Sequence, residues 1–256
     1  MEKRKLKGMV FAALFAALTG AVAWFKIPLP FTPVPITLQT LAVLLSGAML
    51  GSYYGALSMI IYLILGSIGL PIFAGGSSGF GALLGSSGGY LLSYPVASFV
   101  IGKMLEKKNL TKFLKYASFI VIMLLIAIVI LDSTLEIGIM KMGGNSSGSY
   151  VPMVSLLTSQ QRVFLVAFSM AALAVLLFLF YYFKRSKPSN SDTMLAMFAG
   201  TLIIYLMGAV QGKFVTGVEW NAVFVGWVLP FIIGDTIKLL AAVYICGSID
   251  VKKYMK

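Results

Sequence analysis

The sequence predicts an all-α integral membrane protein with about eight transmembrane helices, and three observations carry that prediction. Hydrophobic residues make up 59% of the 256 positions, charged residues 11%, and the mean hydropathy is +0.96. A soluble domain is about 45–50% apolar and about 25% charged, so a globule of this composition could not cover its own surface, and a disordered chain is excluded by the same excess. The apolar residues gather into eight runs, and the basic residues gather between them.

The runs are residues 9–25, 36–51, 53–70, 88–104, 116–131, 163–183, 194–210 and 223–246. A span needs about 20 mostly apolar residues, so the shorter runs imply tilt or boundaries as tight as the two-residue break at Gly51 and Ser52. The first run, with a basic start and Ala21-Val22-Ala23, also resembles a cleavable signal peptide. Its removal would leave an odd number of spans, so it is read as a retained helix.

Of the 20 Lys and Arg, 15 lie in four clusters: Lys3 to Lys7, Lys103 to Lys115, Lys184 to Lys187 and Lys252 to Lys256. Short loops rich in Lys and Arg stay on the cytoplasmic side. Both termini and two internal loops are therefore expected there, in a multi-pass protein of the cell membrane, and this arrangement requires an even number of spans. The clusters form no contiguous basic patch, so the net charge of +12 does not point to nucleic acid.

Two stretches cannot be regular helix. Residues 73–89 are dense in Gly and Ser, with Pro71 just before them, and residues 27–35 hold Pro28, Pro30, Pro33 and Pro35. Irregular backbone does not face lipid. By the alternation of spans both stretches lie on the outer face, where they would roof a pocket open to the outside.

The last run contains Gly234-Asp235-Thr236-Ile237-Lys238. Positions i and i+3 share a helix face, and each charge near mid-membrane costs roughly 2.5–3.5 kcal/mol on insertion scales. Pro230 lies one turn earlier and leaves the Gly226 carbonyl without its helical partner. An ion pair holding helices in register would explain Asp235 and Lys238. A site offering an acceptor and donors to a small polar ligand is favoured, because the pair occurs with a kink and opposite two irregular loops.

In the first run Ala12/Ala16, Ala13/Ala17 and Ala17/Ala21 are pairs of small residues four apart, which let helix backbones approach closely in lipid. They suit an internal contact or an interface with another membrane protein. Asp132, Glu136 and Arg162 are expected near the outer surface, where pairing is worth little. With no His, one Cys and few carboxylates, neither a transition-metal site nor a Ser/His or Cys/His nucleophile is expected. Gly208 to Phe214 lacks P-loop spacing and a Ser or Thr after Lys213, and Gly79-x-Gly81 follows no buried strand. No enzyme activity, cofactor or metal is expected, and any ATP chemistry must lie on another chain.

Pro33-Val-Pro-Ile-Thr-Leu-Gln39, Gly69-Leu-Pro-Ile-Phe73, Gly75-Gly76, Gly85-Ser-Ser-Gly-Gly-Tyr90 and Pro230-Phe231 with Gly234-Asp235-x-x-Lys238 occur in an order that resembles the BioY family. These are the biotin-specific S components of energy-coupling-factor transporters. The resemblance covers residues 8–103 and 194–247 and implies a six-helix S-component core that captures biotin from outside as a transported ligand, without a cofactor. Residues 105–193 have no counterpart and are read as an insertion with two extra helices within one transmembrane domain, residues 1–256. Uptake is implied to need a transmembrane coupling subunit and two ATP-hydrolysing subunits. The resemblance assigns Asp235, Lys238, Ser77, Tyr90 and Gln39 to the substrate site, and Ala12, Ala13, Ala16 and Ala17 to the partner interface. In this sequence a family Pro is replaced by Ser86, a family Asn by Ser77, and an Arg that some members carry after the tyrosine by Leu91. The same fold specific for another vitamin, or a solitary transporter, are the alternatives; an intramembrane enzyme is disfavoured by the missing His.

Overall fold

The computed structural model describes residues 2–28, 32–106 and 188–249, with residues 141–142, 151–152 and six helical positions between 167 and 181. The runs 116–131 and most of 163–183, the loop 143–148, and Asp132, Glu136 and Arg162 lie outside the described residues.

The first helix, α1 (Glu2–Val22), leads into β1 (Lys26–Ile27), which pairs antiparallel with β2 (Ile36–Thr37). The described residues of the proline-rich stretch are not helical, in keeping with its prolines. Next come α2 (Gln39–Ser67), a 3₁₀ turn (Ala74–Gly76), the short α3 (Phe80–Leu84) and α4 (Gly88–Glu106). A two-residue pair, β3 (Lys141–Met142) with β4 (Val151–Pro152), precedes α5 (Pro188–Thr216), α6 (Trp220–Val223), a π turn (Phe224–Val228) and α7 (Leu229–Ser248).

Among the described residues, four segments are long and apolar enough to cross a membrane: Lys5–Val22, Gln39–Ser67, Ser191–Thr216 and Gly226–Ser248. The second is not one rod. Gly51 has φ 82° and ψ −177°, a region essentially restricted to glycine. A Cβ placed on Gly55 would lie 3.0 Å from the Gly47 Cα, and Gln39 hydrogen-bonds Tyr62, 23 residues on. In a straight helix those two residues would be about 35 Å apart. The chain therefore reverses at Gly51, and residues 39–50 and 52–67 are two antiparallel helices, as the Gly51–Ser52 break predicts.

Close approach holds α4 against this hairpin. Gly102 sits so near the backbone of Gly51 and Ser52 that a Cβ there would lie 2.2 Å from the Ser52 nitrogen. Ser46 and Ser98 share a buried hydrogen bond of 2.9 Å. The Glu106 carboxylate accepts from the Ser52 backbone N–H at 2.9 Å and from its hydroxyl, capping the second arm where the helix dipole favours an anion. Farther on, α5 runs antiparallel to α4, with Gly200 against Ala97 and Ile101 and Gly208 against Tyr90; Gly212 abuts Trp227 before α7.

These contacts sort the described helical segments into an alternating bundle. At one end lie residues 22–28, 32–38, 67–88 and 216–229; the glycine-rich stretch, expected to lack regular helix, holds the short α3 and the start of α4 there. At the other lie Lys3 to Lys7, Gly51, Glu106 and the start of α5. The core between them is built from Val43, Leu44, Met59, Tyr62, Phe73, Tyr94, Ile101, Met197 and Ile204, among others.

Candidate functional site

Beneath the irregular end lies a cavity lined by the hairpin's first turn, the glycine-rich loop, α4 and α7. Gln39, Ser77, Tyr90, Asp235 and Lys238 all line it, together with Thr40, Tyr94 and Phe231. The structure thus brings together the five residues that the sequence singled out, from segments up to about 200 positions apart.

Asp235 and Lys238 are both buried in α7 and form an ion pair of 2.7 Å. Thr40 bridges them: its hydroxyl donates to Asp235 Oδ1 at 2.8 Å and accepts from Lys238 Nζ at 3.1 Å. From behind, Tyr205 of α5 donates to Asp235 Oδ2 at 2.9 Å. A carboxylate offers about four lone-pair positions and an ammonium three protons. The observed bonds use three of the former and two of the latter. One acceptor position, on Oδ2, and one N–H on Lys238 are left unused by these bonds, in a setting that holds both charges in place.

Around this pair the other polar groups are more fully engaged. Gln39 donates to the Tyr62 hydroxyl and accepts from Thr37 at 3.0 Å, and Tyr62 donates in turn to the Ile72 carbonyl at 3.1 Å. The Tyr90 hydroxyl donates to the Trp227 carbonyl in the π turn, so its ring, rather than its hydroxyl, is what the cavity sees. The kink that Pro230 predicts takes the form of that π turn, with the Leu229 N–H bonded back to the Phe224 carbonyl. Ser77 is exposed on the rim and donates to the Ala74 carbonyl at 3.1 Å.

The loop above the cavity is fastened at several points. Gln211 of α5 donates to the Leu83 and Gly85 carbonyls at 2.7 and 2.9 Å, and the Trp227 indole N–H to the Ser86 carbonyl at 3.1 Å. Phe73 is buried and meets the Tyr62 ring edge-on at 5.4 Å. The walls nearest the ion pair are thus aromatic: Tyr90, Tyr94 and Phe231.

Thr40 and Tyr205 were not anticipated. Thr40 stands next to Gln39 at a helix start, and Tyr205 carries, with Thr201, one of two hydroxyls inside an otherwise apolar run. That second departure was a usable signal. The alanines of α1 are divided by the structure. Ala12 and Ala16 are fully buried against the bundle, whereas Ala13 and Ala17 are exposed. This corrects the expectation that all four face a partner: residues four apart share a face, and one of the two faces is already occupied by this chain's own core.

Comparison with known proteins gives a concordant result. The chain is 46% identical over 98 residues to the probable biotin transporter BioY of Pyrococcus horikoshii, covering 38% of this chain and 59% of that one. It is 44% identical over 104 residues to the biotin transporter BioY of Thermotoga maritima, covering 41% and 60%. With the biotin transporter BioY of Lactococcus lactis it shares 33% identity over 132 residues, 51% and 70% of the two chains. The chain thus spans about six-tenths of the length of the first two relatives. A solved structure, the S-component for biotin from an ECF-type ABC transporter, superposes with a TM-score of 0.61 over 96% of this chain and 92% of that one. At 21% sequence identity this likeness shows a shared fold. The BioY family model matches residues 1–151 and 153–254, and the chain, a multi-pass membrane protein, belongs to the BioY family.

Proposed function

We propose that this protein is a substrate-binding S component that captures biotin from outside the cell for ATP-driven uptake. The observation that carries the reading is the buried Asp235–Lys238 pair, which keeps an unused acceptor position and an unused N–H and lines a cavity with aromatic walls. A cyclic urea presents an N–H beside a carbonyl, and these two groups complement that pattern. The apolar ring fused to it suits walls made by Tyr90, Tyr94 and Phe231, as in most small-ligand pockets. Gln39 and Ser77 complete the site, Gln39 by fixing the hairpin start and Ser77 at the rim.

With no P-loop of its own, the chain is assigned a transmembrane coupling subunit and two ATP-hydrolysing subunits as partners. The exposed Ala13 and Ala17 mark the face that would meet the coupling subunit. Eight spans, with a two-helix insertion between the core halves and both termini in the cytoplasm, satisfy the charge distribution. The test is equilibrium binding of biotin to the detergent-purified chain. Saturable binding is expected, weakened at least about tenfold by Asp235→Asn, since a hydrogen bond to a charged group is worth about 1.5–3 kcal/mol. Unchanged affinity in the variant removes Asp235 from the site, and preference for thiamine or riboflavin in competition moves the specificity to another vitamin.

A further inference from the structure

The Asp235–Lys238 pair is neutral as a unit and buried. Biotin, the ligand on which this inference rests, carries a carboxylate at the far end of its side chain. That anion cannot lie beside Asp235, where a like charge would oppose it, and a buried anion without a cation is costly. It must therefore sit at the rim, where a cation that is not already paired could meet it.

Lys26 is placed for this. In the antiparallel pair it stands directly opposite Thr37, so the two side chains leave the same face of the ribbon, with Cβ atoms about 5 Å apart. Thr37 lines the cavity. The Lys26 side chain then crosses the 3₁₀ turn: a Cβ built on Gly75 would lie 2.3 Å from both its Cε and its Nζ. Gly75 has φ 65°, so its backbone and the passage of the lysine over it both call for glycine. The residues flanking this crossing, Ala74 and Ser77, line the same cavity. The Gly75 N–H is tied to the Ala23 carbonyl at 2.9 Å, which holds the turn against the root of the ribbon. Lys26 is exposed and makes no ion pair with any described acid. Lys26 is not itself part of the cavity wall, but it is tied to that wall through its strand partner Thr37 and through the turn it crosses next to Ala74.

We propose that Lys26 is a specificity residue that receives the ligand's carboxylate at the mouth of the cavity, while Asp235 and Lys238 hold the ureido ring at its floor. The protein would thereby select the free acid over neutral derivatives. The experiment measures binding of biotin and of biotin methyl ester to the wild type, Lys26→Met and Lys26→Arg, each checked for thermal stability in detergent. The wild type should prefer the acid by about tenfold, a charge-assisted hydrogen bond at a partly solvated site. Lys26→Met should bring the acid-to-ester ratio close to one, and Lys26→Arg should keep it. A wild-type ratio near one, or a Lys26→Met ratio equal to wild type, overturns the assignment. Equal loss of both ligands in Lys26→Met overturns it too, since that would mark a structural role. If the folded wild type binds neither compound, the biotin reading fails, and this inference with it.

Discussion

Asp235 receives three hydrogen bonds from three different segments, and spacing alone anticipated one. The i,i+3 relation to Lys238 is written in the sequence, because helix periodicity fixes it. Thr40 and Tyr205 are not, because their approach depends on how the hairpin and α5 pack against α7. Tyr205 leaves no mark on the cavity wall, yet it fixes Oδ2, the oxygen with the spare position. Tyr205→Phe should therefore lower biotin affinity by at least about tenfold, since a hydrogen bond to a charged group is worth about 1.5–3 kcal/mol, while the chain stays folded. Titration calorimetry on the variant reads this directly. An unaltered affinity would mean that Asp235 holds its orientation through Lys238 and Thr40 alone. The same comparison explains why Ser77 was legible only by position in a motif: on the rim, with its hydroxyl turned to the Ala74 carbonyl, nothing in its chemistry distinguishes it from other loop serines.

At the scale of elements, the decisive residue is Gly51. A glycine followed by serine between two apolar runs was enough to place a boundary, and the positive φ explains why. The runs on either side are too short for two upright spans, and their pairing through Gly47, Gly55 and Ser98 shows that close backbone approach, rather than length, secures them. Gly51→Ala would put a Cβ 3.1 Å from Glu106 Oε1 in a conformation that L-residues avoid. The substitution should cost about 1–3 kcal/mol, seen as a lower midpoint in thermal unfolding of the detergent-solubilised protein. A wild-type midpoint would show that the reversal relaxes without penalty. The π turn before Pro230 was only half legible: the proline announced a disrupted hydrogen bond, but not that Tyr90, far earlier in the chain, would donate to the Trp227 carbonyl there.

For the whole molecule, composition was enough to predict a helical multi-pass membrane protein, while burial decided which residues remain available to other chains. Helical periodicity cannot say which of two small faces turns inward, so Ala12 and Ala16 were grouped with Ala13 and Ala17 until packing separated them. Ala17→Leu, on the exposed face, should leave biotin binding by the isolated chain intact. It should reduce uptake in cells that contain the coupling proteins, because a large side chain blocks the close helix approach that small residues permit. Normal uptake by that variant would move the docking face elsewhere. The last turn of α4 and the first of α5 also lie together at the end opposite the cavity, with Glu106 fixing one of them to the hairpin. A segment joining two neighbouring helix ends closes a short gap however long it is, and the entropy of closing it grows only slowly with length. For the threading of the bundle, α4 and α5 therefore need only a connection that closes this gap, and the direction in which α5 returns across the core follows from the ends of the two helices themselves.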